Sequence, residues 1–232
     1  AIDFCRYYSK EALNLFQTQT LKGPTGELNQ YRMIGKGLSF VVSPWNFPVA
    51  IFIGQTVAAL ITGNVVITKP AEQSSFAAYY IIKLLLKAGL PSNAIALLLG
   101  DGALIGKKVI NDKKLKNVIF TGSLETAKII QSNLQQKENI PTFIAETGGL
   151  NCMIVDTSAL TEHVVKDVVN SGFDSAGQRC SACRILCVEE NIYEHYFENV
   201  QRFRRIVFPP DSGAQHAFTR SRREIARILH RR

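Results

Sequence analysis

The amino-acid sequence predicts a doubly wound α/β fold: a parallel sheet with helices on both faces, which takes its ligand at the C-terminal ends of the strands. Two observations carry that prediction. Short apolar runs bounded by Gly, Pro or Asn (LSFVVS, NVVITKP, AIALLLG, NVIFTG, TFIAE) alternate with longer segments of helical period. Several of these runs are apolar without alternation, which suits strands buried on both faces.

Taken in order, residues 1–20 predict a helix, with Phe4, Tyr7, Tyr8, Ala12, Leu15 and Phe16 at helical spacing. KGPTGELNQ reads as a turn-rich loop, since Pro24, Gly26 and Asn29 favour non-helical backbone. LSFVVS is a strand, and PWNFP a sharp turn fixed by its two prolines. A helix over Ile53–Thr62 stops at Gly63 before the strand NVVITKP. Ser74 or Ser75 can cap the next helix, which ends at Gly89 before Pro91. The strand AIALLLG, a helix near Leu104–Ile110, the strand NVIFTG and the helix SLETAKIIQSNL follow. TFIAE and NCMIVD are two more strands, Thr161–Gly172 a helix, and RILCVEE the last strand.

At 232 residues and 46% hydrophobic, the chain is long and apolar enough for one sizeable domain or two small ones. AIDFCRYYSKEAL has no basic region followed by an apolar run, and the five cysteines are odd in number. A reducing cytoplasm is therefore the expectation, which argues against a disulfide framework. The uncharged stretch between Lys36 and Lys69 is long enough to raise the question of a membrane span. Pro44, Pro48, Gly54 and Gly63 break it into pieces better read as strand, helix and strand.

The net charge of +8 is concentrated at one end, because residues 201–232 carry nine arginines against Asp211 and Glu224. An arginine-rich tail can bind phosphate backbones. The preceding residues use mostly lysine, however, and a frameshift or fusion explains that switch better than a nucleic-acid arm; no nucleic acid is expected as a partner.

Candidate chemistry sits at the ends of the strands. Gly122-Ser123, at a strand-to-helix turn, reads either as a phosphate site on helix N-terminal amides or as a tight corner. Lys69 and Glu72, just past a strand, are either a ribose-binding pair or two solvated charges. Glu146 ends an apolar strand before Gly148-Gly149, where a semi-buried carboxylate can serve as a general base. Asn46, between Pro44 and Pro48, is a rigid amide donor suited to an oxyanion. GQRCSACRILC holds Cys180, Cys183 and Cys187 at C-x₂-C-x₃-C spacing. That is either a thiolate metal or cluster site or one reactive thiol beside two packing residues. A tetrahedral site wants a fourth ligand, and no second C-x₂-C or Cys/His pair appears, so no metal is expected. Cys183 and Cys187 lie four apart on a strand and face one way, as small buried hydrophobes; Cys180, in the loop before it, is the one placed to react.

SPWNFP, TKPAEQS, FTGS, ETGGLN and GQRCSA stand in this order, with Glu146 placed 34 residues before Cys180. In this the chain resembles the aldehyde dehydrogenase superfamily. AIDFCRYY, GPTGELNQY, FDSAGQRCSA and Ala127 look like one branch in particular, the L-glutamate γ-semialdehyde (Δ¹-pyrroline-5-carboxylate) dehydrogenase module of bacterial bifunctional proline-utilisation proteins. The resemblance implies a Rossmann-like NAD-binding domain of the aldehyde dehydrogenase fold, with only the start of the catalytic domain. Its boundaries would be residues 1–150 for the N-terminal helix and NAD-binding region, 151–200 for the cysteine-bearing start, and 201–232 for a tail unlike the family.

On the same resemblance, Cys180 would attack the aldehyde, Asn46 and the Cys180 N–H would hold the oxyanion, and Glu146 would activate the hydrolytic water. Lys69 and Glu72 would contact the adenosine ribose, Gly122 and Ser123 the pyrophosphate, and Trp45 would complete the cofactor contacts. Glu72 favours NAD over NADP, and Ser181 would hold the substrate carboxylate. The family's later E-x-F-G-P segment has no counterpart in these residues, nor does the dimer-forming segment. An internal fragment is therefore expected, either active in oxidising the semialdehyde or an inactive remnant with some NAD affinity. The implied partners are a small aldehyde and a flavin-dependent proline dehydrogenase, as a fused domain or a separate chain. The implied location is the cytoplasm, with full-length relatives associating peripherally with the membrane.

Overall fold

The first unit begins with a helix whose apolar stripe needs a partner, α1 (Ile2–Leu15), and finds it on α2 (Ala50–Ile61). Gly54 of α2 gives the Phe4 ring its room, since a Cβ there would lie 3.3 Å from it. The structure is a computed structural model and describes residues 1–207, with side chains to residue 202. Those residues form two compact units, Ala1–Thr147 and the part from Gly148 onward.

The predicted loop after α1 is framed by two short strands, β1 (Gln19–Leu21) and β2 (Asn29–Tyr31), paired antiparallel. The expected helix over residues 1–20 accordingly stops at Leu15, because the residues that follow pair across a hairpin instead.

The sheet is built from β3 (Leu38–Ser43), β4 (Val65–Pro70), β5 (Ile95–Leu97), β6 (Leu115–Gly122) and β7 (Thr142–Thr147). All its pairings are parallel, in the spatial order β5-β4-β3-β6-β7. The crossovers are α2, α3 (Ser75–Lys87), α4 (Gly102–Ile110) and α5 (Leu124–Gln135). The stretch that raised the membrane question is β3, α2 and β4, and among the described residues no helix is long and apolar enough to cross a membrane.

Alternation along the strands splits the core in two. Phe40, Val118 and Phe120 pack with Val109, Ile110, Ile130 and Leu134 of α4 and α5. Val41 and Val66 pack with Ala59 of α2 on the other face, beside a cluster joining Phe52 to Ala78, Ile81 and Ile82 of α3. Lys137, just past α5, donates to the carbonyls of Ile110 and Asp112, both at 2.6 Å. A cation thus covers the C-terminal end of α4, where the helix dipole favours it.

Strand order reverses between β3 and β6, so the crevice such sheets offer a ligand opens beyond Ser43 and Gly122.

The second unit is smaller. β8 (Asn151–Val155) and β9 (Cys183–Val188) pair parallel, and α6 (Thr161–Phe173) connects them. Met153 and Leu186 lean on a cluster of Val165, Val168, Val169, Phe173 and Val200. Val200 belongs to α7 (Tyr193–Val207), a helix that the reading of the chain as changing character near residue 201 did not include. Residues 208–232, most of the arginine-rich tail, lie outside the described residues.

Candidate functional site

Seven of the nine predicted site residues lie at the C-terminal edge of the parallel sheet or in the turns just beyond it. Trp45 and Asn46 follow β3 in the turn leading to α2; the indole is half exposed and Asn46 half-buried. Lys69 is the next-to-last residue of β4, level with Val42 of β3, and Glu72 follows in a short helical turn. Gly122 ends β6 and Ser123 caps α5, its hydroxyl accepting from the Thr126 N–H at 3.1 Å.

Lys69 and Glu72 form one device. The lysine is 4% exposed, and its Nζ donates to the Pro70 carbonyl and to Glu72 Oε1, both at 2.9 Å. The hydrogen bond from Lys69 is the main reason the Glu72 carboxyl is held below the ordinary glutamate range; its own backbone N–H adds to the effect, burial opposes it, and the Lys69 charge and the Gly102 N–H contribute less. Gly102, the first residue of α4, lies against this pair: a Cβ there would make ordinary contact, at 3.5 Å, with both Glu72 Oε1 and Lys69 Nζ. A fixed amine that donates beside a carboxylate that accepts fits a vicinal diol such as a ribose.

Gly122 is required for a local reason. A Cβ there would meet the buried Phe120 ring at 2.5 Å, so the bare backbone lets that ring cover the end of β6. The turn therefore offers backbone and the positive end of α5 to a ligand, which fits a phosphate. Gln55 of α2, not singled out in the sequence, donates to Thr121 Oγ1 and ties α2 to β6 at this edge.

Glu146 lies opposite Thr121 on β7 and is exposed, which corrects the expected semi-buried position. β7 is an edge strand, and its apolar run does not reveal that.

Cys180 and Ser181 belong to the second unit and are both exposed, in a turn closed by the Ala182 N–H donating to the Arg179 carbonyl at 3.2 Å. Side chains hold this turn from three elements. Asn151 at the start of β8 donates to the carbonyls of Cys180 (2.6 Å) and Ala182 (3.1 Å). Ser171 Oγ of α6 accepts from the Cys183 N–H at 3.1 Å, and Arg184 of β9 donates to the Gly177 carbonyl. None of these three holding residues was picked out from the sequence. Asn151 alone carried a hint, as the last residue of ETGGLN.

Just before the turn, Ser175 and Ala176 hold φ of 53° and 56° and Gly177 a φ of 66°. Such a run is costly for side-chain-bearing residues and persists only where the surroundings enforce it.

The other two thiols of the motif differ from Cys180. Cys183 is buried, and burial pushes its thiol above the usual range; its Sγ lies 3.4 Å from the Ile185 carbonyl. Cys187 is only half-buried, and the expected common face is lost: the register shifts by one residue between Cys183 and Ile185, so Cys187 pairs with Ile154, on the face away from Met153 and Leu186. Among the described residues, no three His, Cys, Asp or Glu side chains are grouped to hold a metal ion.

A doubly wound parallel sheet with a fixed amine–carboxylate pair and a bare glycine turn at its C-terminal edge has the form of a nucleotide-binding α/β protein, here one that also carries an exposed loop thiol. The chain belongs to the aldehyde dehydrogenase family, whose profile matches residues 1–212. Family membership supports an NAD(P)-binding role for the sheet region.

The bifunctional protein PutA of Salmonella typhimurium is 47% identical over 200 residues, which cover 84% of this chain and 14% of that protein. The 1-pyrroline-5-carboxylate dehydrogenase of Geobacillus thermodenitrificans is 34% identical over 222 residues, covering 94% of this chain and 43% of the relative. A solved structure of proline utilization A with proline bound in remote sites matches with a TM-score of 0.83 and 48% identity, covering 85% of this chain and 20% of that one. The chain thus spans about one seventh of the bifunctional relatives and under half of the separate dehydrogenases.

Proposed function

We propose that this chain is the nucleotide-holding and thiol-bearing portion of an NAD-dependent L-glutamate γ-semialdehyde dehydrogenase. By itself it binds NAD without completing turnover. The observation that carries the reading is the buried Lys69 amine bonded to Glu72 at the C-terminal edge of the sheet. The share of the relatives' length that the chain spans, 14% and 43%, supports binding without turnover.

The roles divide as follows. Lys69 donates to, and Glu72 accepts from, the adenosine ribose hydroxyls, and the Glu72 charge repels a 2′-phosphate, which favours NAD over NADP. Gly122 and the N-terminal end of α5, capped by Ser123, take the pyrophosphate, and Trp45 borders the same edge. When bound, NAD supplies the acceptor that takes the substrate carbon from the aldehyde to the acyl level.

In the whole dehydrogenase Cys180 would attack the aldehyde carbon to give a thiohemiacetal, its own N–H being one donor to the oxyanion. Asn46 would be an amide donor and Glu146 the base for the hydrolytic water; each role rests on the family resemblance, since the two residues belong to the first unit and Cys180 to the second. Ser181 holds the substrate carboxylate. The names of the relatives, bifunctional and proline-binding, support a flavin-dependent proline dehydrogenase as the source of the substrate, fused or separate.

The test is to add NAD⁺, then L-glutamate γ-semialdehyde, to the pure chain. Thermal stabilisation by NAD⁺ with no rise in NADH absorbance is the expected result. Sustained NADH formation would replace this reading with a complete enzyme, and no stabilisation by NAD⁺ would overturn the assignment of the nucleotide site.

A further inference from the structure

We infer that Asn151 is a positioning residue for the nucleophile, acting through the backbone of the turn that carries Cys180. The inference rests on the reading of Cys180 as the attacking thiol.

The Asn151 amide has two N–H donors, and the structure uses both: one on the Cys180 carbonyl at 2.6 Å, the other on the Ala182 carbonyl at 3.1 Å. These acceptors lie 29 and 31 residues along the chain, so the contacts are tertiary and pin the turn to the start of β8. One NH₂ group reaching both carbonyls makes them point the same way. In a trans peptide the N–H points opposite its carbonyl, so the Ser181 and Cys183 N–H groups turn away from Asn151.

The second of these is accounted for, because the Cys183 N–H donates to Ser171 Oγ at 3.1 Å. That peptide is gripped on both edges. The Cys180–Ser181 peptide is gripped only at its carbonyl, by Asn151; no acceptor takes the Ser181 N–H among the described residues. Asn151 is therefore what fixes the peptide on the C-terminal side of the thiol, the preceding one being tied through the Arg179 carbonyl to the Ala182 N–H.

Attack on a carbonyl demands a defined approach of sulfur to carbon, and small misplacements are expensive. Simple alkylation of an exposed thiol asks far less of the backbone. The two reactions therefore separate positioning from mere folding.

The experiment uses the full chain and an activated ester, p-nitrophenyl acetate. The Cys180 sulfur forms a bond to the acetyl carbon, the bond to the aryl oxygen breaks, and p-nitrophenolate leaves with that electron pair. First-turnover release of p-nitrophenolate is followed, and acetyl on the Cys180 peptide is located by mass. Iodoacetamide alkylation of Cys180 and the melting temperature are measured in parallel.

Asn151→Asp keeps the shape and removes both donors; Asn151→Ala removes them without adding a charge. Acetylation of Cys180 is expected to slow about tenfold or more in either variant, with alkylation within about twofold of the unsubstituted chain. Equal acetylation rates in all three proteins would overturn the positioning role, as would a fall in alkylation that parallels the fall in acetylation. No acetyl on Cys180 of the unsubstituted chain would overturn the assignment of the nucleophile, and the inference with it.

Discussion

The two units bury their sheets differently. In the first, five parallel strands carry helices on both faces, and Phe40 and Val41, adjacent on β3, are each 0% exposed on opposite sides. In the second, two strands carry α6 and α7 on the face of Met153 and Leu186, while Ile154 on the other face is 79% exposed. The first unit therefore has core on both faces of its sheet, whereas the second has it on one face and holds its thiol loop by side-chain hydrogen bonds. Cavities should damage the first unit most, and lost donors the loop of the second.

That contrast can be broken by substitution. Phe40→Ala should destabilise the first unit by about 3–5 kcal/mol, since a fully buried ring leaves a cavity on a sheet that cannot collapse around it. Denaturant unfolding followed by hydrogen exchange would localise the loss to residues 1–147. Lys69→Met removes an amine buried against Glu72 and should weaken NAD⁺ binding about tenfold or more, read by calorimetry, with the sheet intact. In the second unit, Gly177→Ala forces a Cβ to within 2.8 Å of the Gly172 carbonyl at a φ of 66°, and should cost about 1–3 kcal/mol in thermal unfolding.

Glu72→Gln refines the picture by its pH dependence. The folded carboxyl titrates below its ordinary value of 4.5, so what the charged form contributes is fully present above that value. It is lost as pH falls through the lower, folded value. NAD⁺ affinity should therefore differ between Glu72→Gln and the unsubstituted chain at neutral pH, and the difference should fade only in acid. The smallest effect belongs to Ile154→Ser, within about 0.5 kcal/mol because that side chain is exposed. A large loss there would show that the face is covered in solution.

The strands of the first unit were legible because β3, β4 and β6 are contiguous apolar runs between turn residues, and Lys69, Glu72, Gly122 and Ser123 lie where those runs end. β1 and β2 were not, since QTL and NQY are three-residue polar strands held only by pairing with each other. Tyr193, Tyr196, Phe197 and Val200 carry the helical spacing of α7, but the arginines after Gln201 read as a boundary. The exposure of Glu146 depends on β7 standing at the edge, and spatial strand order is not written in local pattern. The holding of Cys180 by Asn151 depends on a contact 29 residues long, which no spacing rule anticipates.

A calorimetric titration of NAD⁺ into the full chain and into Lys69→Met probes the account at its base. Saturable one-to-one binding that weakens about tenfold or more in the variant is the predicted result. No saturable binding to the unsubstituted chain, or equal affinity in both proteins, would contradict it.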